Sequence, residues 1–146
     1  PEPATAPPNR SRPLPRLVDR ADPPPRSRDG RTLVREGREL LEAGDIARAE
    51  ARFREALESD GDDAAALAGQ ALVFWERRQD GQARAYANRA LGANRREPLA
   101  HLVLGLIATQ DDDRDEAKES YQTYLKLEPR GFYAADVRAS LQTLAD

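Results

Sequence analysis

The sequence predicts an all-α protein, a solenoid of three stacked helical hairpins with a final capping helix. The main observation is a pattern that returns every 34 residues, because a fixed period of this length is typical of stacked helical repeats. Apolar residues at three- and four-residue steps also indicate amphipathic helices. No stretch alternates apolar and polar residues for long enough to predict a strand. The recurring positions are Ala49, Ala83 and Ala117, then Leu57, Leu91 and Leu125, then Gly37, Ala71 and Gly105.

The first 29 residues differ in composition from the rest of the chain. They hold nine of the eleven prolines, and six arginines against four acidic residues give them a net charge of +2. Without aromatic residues, this segment cannot bury enough apolar surface to offset the entropy of ordering. We predict a disordered Pro/Arg-rich linker over 1–29. Its Pro23–Arg26 stretch leaves open an alternative, docking into a domain that recognises proline-rich segments.

Helices follow from Gly30 onward. Gly44 and Asp45 separate the first two, and Asp113 with Glu116 three residues later has the spacing of a capping box that starts the sixth. The last helix mixes apolar and polar residues in a way that suits a cap over the third hairpin. The predicted helices span 31–43, 46–59, 64–78, 82–93, 98–110, 114–127 and 132–144.

Composition argues against catalysis and metal binding. The chain has no cysteine and a single histidine, which excludes disulfides and thiolate metal sites. His101 has no identifiable nucleophile as a partner, so we interpret it as a satisfied, partly buried histidine. The acidic run 111–116 lacks the glycine and glutamate that a calcium loop needs at fixed positions, and is predicted to cap a helix. We therefore predict no enzyme, no cofactor and no metal site.

Charge and hydropathy restrict the partners. Residues 30–146 carry 17 basic and 22 acidic side chains, a net of −5, which argues against nucleic-acid binding. No apolar run approaches the roughly 18 residues that a membrane span requires, so direct membrane insertion is not expected. The 21 arginines against two lysines suggest a GC-rich bacterial genome, and we interpret the chain as a fragment of a longer bacterial protein. A cytoplasmic location is favoured, with a periplasmic one open.

The period and its contents resemble the tetratricopeptide repeat, a 34-residue helix–turn–helix unit. The resemblance implies a right-handed superhelix over 30–146, with units at 30–63, 64–97 and 98–131 and a cap at 132–146. In the middle unit, Arg78 stands where the turn glycine is expected and Ala87 replaces an aromatic residue. The matching positions are Leu33, Gly37, Leu40, Gly44, Ala49, Phe53, Ala56 and Leu57, then Leu67, Ala71, Phe74, Ala83, Ala90 and Leu91, then Leu104, Gly105, Ala117, Tyr121, Leu125 and Pro129.

The resemblance also implies a concave groove lined by the first helix of each unit. Its middle is rich in apolar residues, and apolar patches with polar rims mark interaction sites. Val34 and Leu72 replace groove residues of the subclass that grips chaperone tails, so an apolar peptide or an amphipathic helix is the expected ligand. Packing of the leucines in the core under the C-terminal helix stays open as an alternative. The predicted partner-binding residues are Arg38, Leu72, Trp75, Leu99, Leu102, Leu106 and Tyr133.

The sequence thus predicts a protein-interaction module that binds another protein through this groove. The alternative is a structural scaffold, a homo-oligomer in which repeats or cap helices of different molecules stack.

Overall fold

A computed structural model describes residues 29–146, which form seven α-helices and no strand. Each helix begins and ends within two residues of its predicted bounds. The predicted linker lies outside the described residues except for Asp29, and its boundary with the domain stays a prediction. The helices are α1 (Gly30–Glu42), α2 (Ile46–Ser59), α3 (Ala64–Glu76), α4 (Asp80–Ala93), α5 (Pro98–Gln110), α6 (Arg114–Leu127) and α7 (Ala134–Ala145).

Consecutive helices pair into three hairpins, α1–α2, α3–α4 and α5–α6, and each hairpin packs on the next. The final helix, α7, packs on α6. The result is a right-handed solenoid of helical hairpins. Helices α3 and α5 lie in the middle of the stack, and both carry apolar residues on nearly every face. A helix that is apolar all round is buried, so these two helices form the centre of the core.

Glycines allow the aromatic side chains of the second helices to pack deeply. The Phe53 ring lies between Gly37 and Gly69, where an added Cβ would stand 2.6 Å and 2.4 Å from ring carbons. The Tyr121 ring packs on Gly105 in the same way, at 2.5 Å. Such distances are shorter than any relaxed carbon contact, so only glycine fits without moving the rings. These contacts fix the position of α1 against α2 and of α5 against α6.

The three turns inside the hairpins share one backbone conformation. Gly44, Arg78 and Asp112, spaced by 34 residues, all have positive φ angles of 84°, 62° and 60°. In each turn, the following residue donates its backbone N–H to a carbonyl five residues earlier, as Gln79 does to Phe74 at 2.9 Å. Arg78 therefore adopts the left-handed conformation that favours glycine, and the middle turn keeps the geometry of the other two.

Aspartates begin most of the helices. The carboxylates of Asp29, Asp45, Asp63 and Asp113 accept a backbone N–H of the first turn of α1, α2, α3 and α6. This contact satisfies one of the four N–H groups that a helix start leaves unpaired. The predicted capping role of Asp113 is therefore confirmed. In contrast, Gln79 at the start of α4 makes no side-chain capping bond.

Candidate functional site

The seven predicted partner-binding residues fall into two groups. Leu72, Leu99 and Leu102 are at most 2% exposed and belong to the core, so the expected open apolar patch is wrong at these positions. They are buried because α3 and α5 are enclosed by their neighbours on both sides. The open alternative, core packing, is the correct one for these three leucines. The partly exposed residues are Arg38, Trp75, Leu106 and Tyr133.

A cavity of about 240 Å³, here called the inner cavity, opens between α3, α5 and α7. Its floor includes the two core leucines Leu72 and Leu102. Its walls combine residues of the central helices with residues of the cap, so α7 covers the groove in part rather than closing it. The other lining residues are Trp75, Glu76, Leu106, Tyr121, Tyr133, Asp136, Val137 and Ser140.

Trp75 belongs to the walls of two cavities. Besides the inner cavity, it borders a second one of about 350 Å³ together with Glu76, Arg78, Asp80 and Gln110. Its indole Nε1 is buried and has no hydrogen-bond partner. A buried unpaired N–H costs free energy, which a ligand group could recover. The prediction that Trp75 is at least partly exposed in the groove agrees with this position.

Tyr133 lies just before α7, on the wall of the inner cavity. Burial, and then the negative charges of Glu42 and Glu76, raise the pKa of its hydroxyl to about 12. Glu42 on α1 and Glu76 on α3 therefore both lie near the Tyr133 hydroxyl, because a negative charge nearby disfavours its ionised form. The nearby Arg38 acts in the opposite direction, but its effect is smaller.

A third cavity, of about 410 Å³, runs along α1 and is here called the α1 cavity. It is more polar than the inner cavity, because basic and acidic side chains alternate along it. Val34, one of the positions that departs from the chaperone-tail subclass, is on its wall. The lining residues are Arg31, Val34, Arg35, Arg38, Glu39, Glu42, Asp63 and Ala65.

An ion pair joins the first hairpin to the end of the third. One guanidinium nitrogen of Arg38 donates to both carboxylate oxygens of Glu128, at 3.0 Å each, and the two side chains are only 30% and 22% exposed. Burial alone lowers the pKa of Arg38, but the hydrogen bond and charge of Glu128 outweigh it, so the pKa is raised. We call this contact the Arg38–Glu128 bridge. It spans 90 residues of sequence.

Two further groups surround the bridge. Glu97, at the start of α5, is 6% exposed and accepts the backbone N–H of Leu99. Burial raises the pKa of Glu97, against the opposing effects of that hydrogen bond and of Arg38. Burial and the charge of Glu128 raise the pKa of Tyr124 to about 12. Arg38 therefore has acidic neighbours from two helix ends.

Sequence reasoning predicted Arg38 but not Glu128 and Glu97, the two carboxylates that act on it most strongly. Glu128 lies where α6 ends, immediately before Pro129, and this position predicts only a solvated residue of a turn. Glu97 also precedes a proline, Pro98, but this proline begins a helix. A residue in that position often caps the helix. That signal predicts a cap, and nothing in the local sequence predicts contact with α1.

Residues that suggested other chemistry have structural roles. A ring nitrogen of His101 lies 2.9 Å from the backbone oxygen of Arg95, consistent with a satisfied histidine. Within residues 29–146, no group of three or more His, Cys, Asp and Glu side chains has the arrangement of a metal site. No helix in the same part of the chain has the length and apolar character to span a bilayer.

Two sequence-family models, both described as tetratricopeptide repeat, match residues 34–98 and 99–130. The chain belongs to the tetratricopeptide repeat family. Tetratricopeptide repeats form extended concave surfaces that generally serve for binding rather than catalysis. No curated protein matches the chain by sequence.

Solved structures share the fold at low identity. The first tetratricopeptide domain of Spaghetti (RPAP3), bound to an HSP90 peptide, is 23% identical over 82% of this chain and 98% of its own, with a TM-score of 0.61. The TPR2B domain of yeast Sti1, in a complex with pHsp70, is 15% identical over 80% and 95%, with a TM-score of 0.61. An O-GlcNAc transferase of Thermobaculum terrenum is 21% identical over 79% and 22%, with a TM-score of 0.65.

Proposed function

We propose that this tetratricopeptide protein binds a peptide or helix of another protein along its concave face. The observation that carries the proposal is the inner cavity, in which Trp75, Leu106 and Tyr133 surround an opening between α3, α5 and α7. Aromatic side chains are common among the residues that dominate binding energy at interfaces. Structures of the same fold in complexes with an HSP90 peptide and with pHsp70 support a protein segment as the ligand.

The lining favours an apolar anchor over the tail of a chaperone. Val34 and the buried Leu72 take the place of polar groove residues that grip such tails, and Leu106 and Val137 add apolar wall. A side chain that enters the inner cavity therefore needs apolar surface of its own to contact these walls. Its remaining residues would lie along the α1 cavity.

The test compares the full chain with Trp75→Ala in pull-downs from lysate of the native host, followed by affinity measurements on the captured partner. Trp75→Ala should weaken binding by about 1–4 kcal/mol, because it removes an aromatic wall of the cavity. Tyr86→Ala is the matched control. Tyr86 is a half-buried aromatic residue of α4 that contacts Phe74 of α3 and Arg89 of α4, and it lines neither cavity that includes Trp75. Equal affinity for the parent and the Trp75→Ala variant would contradict the proposal.

Self-association is the alternative that the sequence left open. Among residues 29–146, Phe132 is the only large hydrophobic side chain that is exposed, at 57%. Single exposed apolar residues are common on monomers, so this observation favours a separate partner over a second copy. Sedimentation at several concentrations tests the alternative, which predicts a mass that increases with concentration.

A further inference from the structure

The proposed function leaves the chemistry of the partner open, and the charges of the inner cavity restrict it. Two carboxylates, Glu76 on α3 and Asp136 in the first turn of α7, line this cavity, and no basic side chain does. Within residues 29–146, neither carboxylate forms an ion pair. The cavity thus holds two negative charges that the protein itself leaves unpaired.

The walls between these carboxylates are aromatic and aliphatic. Trp75 and Tyr133 line the same opening, and the face of an aromatic ring attracts a cation. The partly exposed Leu106 supplies apolar surface beside the rings, and the buried Val137 lies beneath the opening. Arginine and lysine combine an aliphatic stem with a charged end, so one such side chain matches both kinds of wall.

The size of the cavity agrees with a single side chain. Its volume of about 240 Å³ is below the roughly 300–1,000 Å³ typical of sites for whole small molecules. It opens on the concave face, next to the second cavity that shares Trp75 and Glu76. A peptide on this face can therefore place one residue inside and continue along the surface.

The excess of negative charge lies at the inner cavity, because the α1 cavity is lined by three basic and three acidic side chains. Glu42 acts on Tyr133 together with Glu76, and Arg38 is already paired with Glu128. Clefts with one sign of charge attract ligands of the opposite sign. The inner cavity and the α1 cavity together are lined by five carboxylates and by the three guanidinium groups of Arg31, Arg35 and Arg38. These carboxylates are Glu39, Glu42, Asp63, Glu76 and Asp136.

We propose that the inner cavity binds an arginine or lysine side chain of a partner protein, carried by an otherwise apolar segment. This inference rests on the proposed function and adds the charge of the ligand to it. The aliphatic stem packs against Leu106, the charged end meets Glu76 and Asp136, and the rings of Trp75 and Tyr133 flank it. The acidic inner cavity favours the approach of such a segment and disfavours an acidic tail.

The experiment uses the full chain and three synthetic peptides without tryptophan. All three share the same leucine positions, and the intervening positions are arginine, glutamine or glutamate. Trp75 is the only tryptophan of the chain, so its fluorescence reports directly on the inner cavity. We expect the arginine peptide to shift this emission and to bind at least tenfold more tightly than the glutamine peptide, with the glutamate peptide weakest. Added salt should weaken the arginine peptide most.

Charge-neutral variants separate the cavity from the general surface charge. Glu76→Gln and Asp136→Asn should each reduce the affinity for the arginine peptide several-fold and leave the affinity for the glutamine peptide unchanged. Glu58→Gln and Asp115→Asn are matched controls, because both residues are exposed on other elements and Asp115, like Asp136, lies in the first turn of its helix. The controls should bind as the parent does.

Two outcomes overturn the cationic site while leaving the proposed function intact. One is equal or tighter binding of the glutamine peptide, and the other is equal weakening by the control variants. If none of the three peptides binds and none changes the Trp75 emission, both this site and the use of the inner cavity are refuted. If replacing the six arginines of residues 1–28 by glutamine shifts the emission without any peptide, the occupant is the chain's own segment, and a partner protein is excluded as the occupant.

Discussion

At the scale of single residues, Glu97 combines burial with a charge. Its carboxylate starts α5, accepts the N–H of Leu99 and is 6% exposed. Ionised carboxylates lose hydration when they are buried, and here that cost exceeds the gain from the hydrogen bond and from Arg38, since the pKa is raised. Relative to the unfolded chain, folding therefore shifts this side chain towards its protonated form.

This raised pKa predicts an effect of pH on stability. Protonation of Glu97 stabilises the fold fully below the ordinary pKa of glutamate, and the contribution is lost as the pH rises through the folded-state pKa. Glu97→Gln keeps an acceptor for Leu99 without the charge. Its melting temperature minus that of the parent should therefore increase between pH 4 and pH 7, by roughly a few degrees. Thermal unfolding followed by circular dichroism at both pH values measures this difference.

Glu58→Gln is the control, because Glu58 is exposed near the end of α2 and its removal should give no such trend. A difference between Glu97→Gln and the parent that shrinks as the pH rises would contradict the assignment.

At the scale of elements, the three hairpin turns differ in one contact. Asp45 and Asp113 accept the N–H of the residue three positions later, which starts α2 and α6 with a satisfied donor. Gln79 occupies the same position of the middle hairpin, with similar backbone angles, and caps nothing. The middle turn thus lacks a cap although its backbone is suited to one.

Replacing Gln79 by aspartate should therefore stabilise the protein by about 1 kcal/mol, the usual value of a capping side chain. The new carboxylate would accept the N–H three residues on, and its charge would favour the positive end of α4. Urea denaturation measures the change in unfolding free energy. Gln79→Ala, which cannot cap, should give no gain, and a gain of equal size in that variant would refute the explanation.

Local signals explain how well the elements could be predicted. Helix bounds depend on residues that are neighbours in sequence, such as Gly44 and Asp45, and these ends were predicted within two residues. The exposure of Leu72, Leu99 and Leu102 was predicted wrongly, because α3 and α5 are apolar on nearly every face. Periodicity identifies an apolar face, but a helix without a polar face gives no indication of which side meets solvent.

Two carboxylates near Arg38 could not be predicted for a related reason. Glu128 meets Arg38 across 90 residues of sequence, and Glu97 is buried at the start of α5, where its charge acts on the same arginine. Charged residues at helix ends are usually solvated, so their sequence position gives no sign of such contacts. Arg38 and Tyr133 were predicted from the repeat register, which fixes the concave face.

At the scale of the whole molecule, the Arg38–Glu128 bridge departs from the usual design of a repeat stack. In such stacks each repeat contacts its neighbours, and stability is nearly a sum of neighbouring interfaces. The bridge connects the first hairpin directly with the end of the third, across the concave face. It thereby couples α1 to the turn that carries Tyr133, a wall of the inner cavity.

A double-mutant cycle on Arg38→Ala and Glu128→Ala should give a coupling energy of about 1–2 kcal/mol, because the pair is largely buried and has two hydrogen bonds. Urea unfolding of the parent, the single variants and the double variant supplies the four free energies. The same cycle on Arg54 and Glu50, an i,i+4 pair whose arginine is 62% exposed, should give only about 0.3–0.5 kcal/mol. Similar values for the two pairs would mean that the bridge does not couple the ends of the stack.

The rings that pack onto glycines also limit how the repeats can be rearranged. Gly69, on which Phe53 packs, corresponds by the 34-residue spacing to Val103 in the third repeat and to Arg35 in the first. Val103 is buried, whereas Arg35 is exposed. A shuffled gene that moved the first repeat behind either of the others would bury a guanidinium group without a partner. The three repeats share one fold, but the different residues at this position allow only the first repeat to stand at the exposed end of the stack.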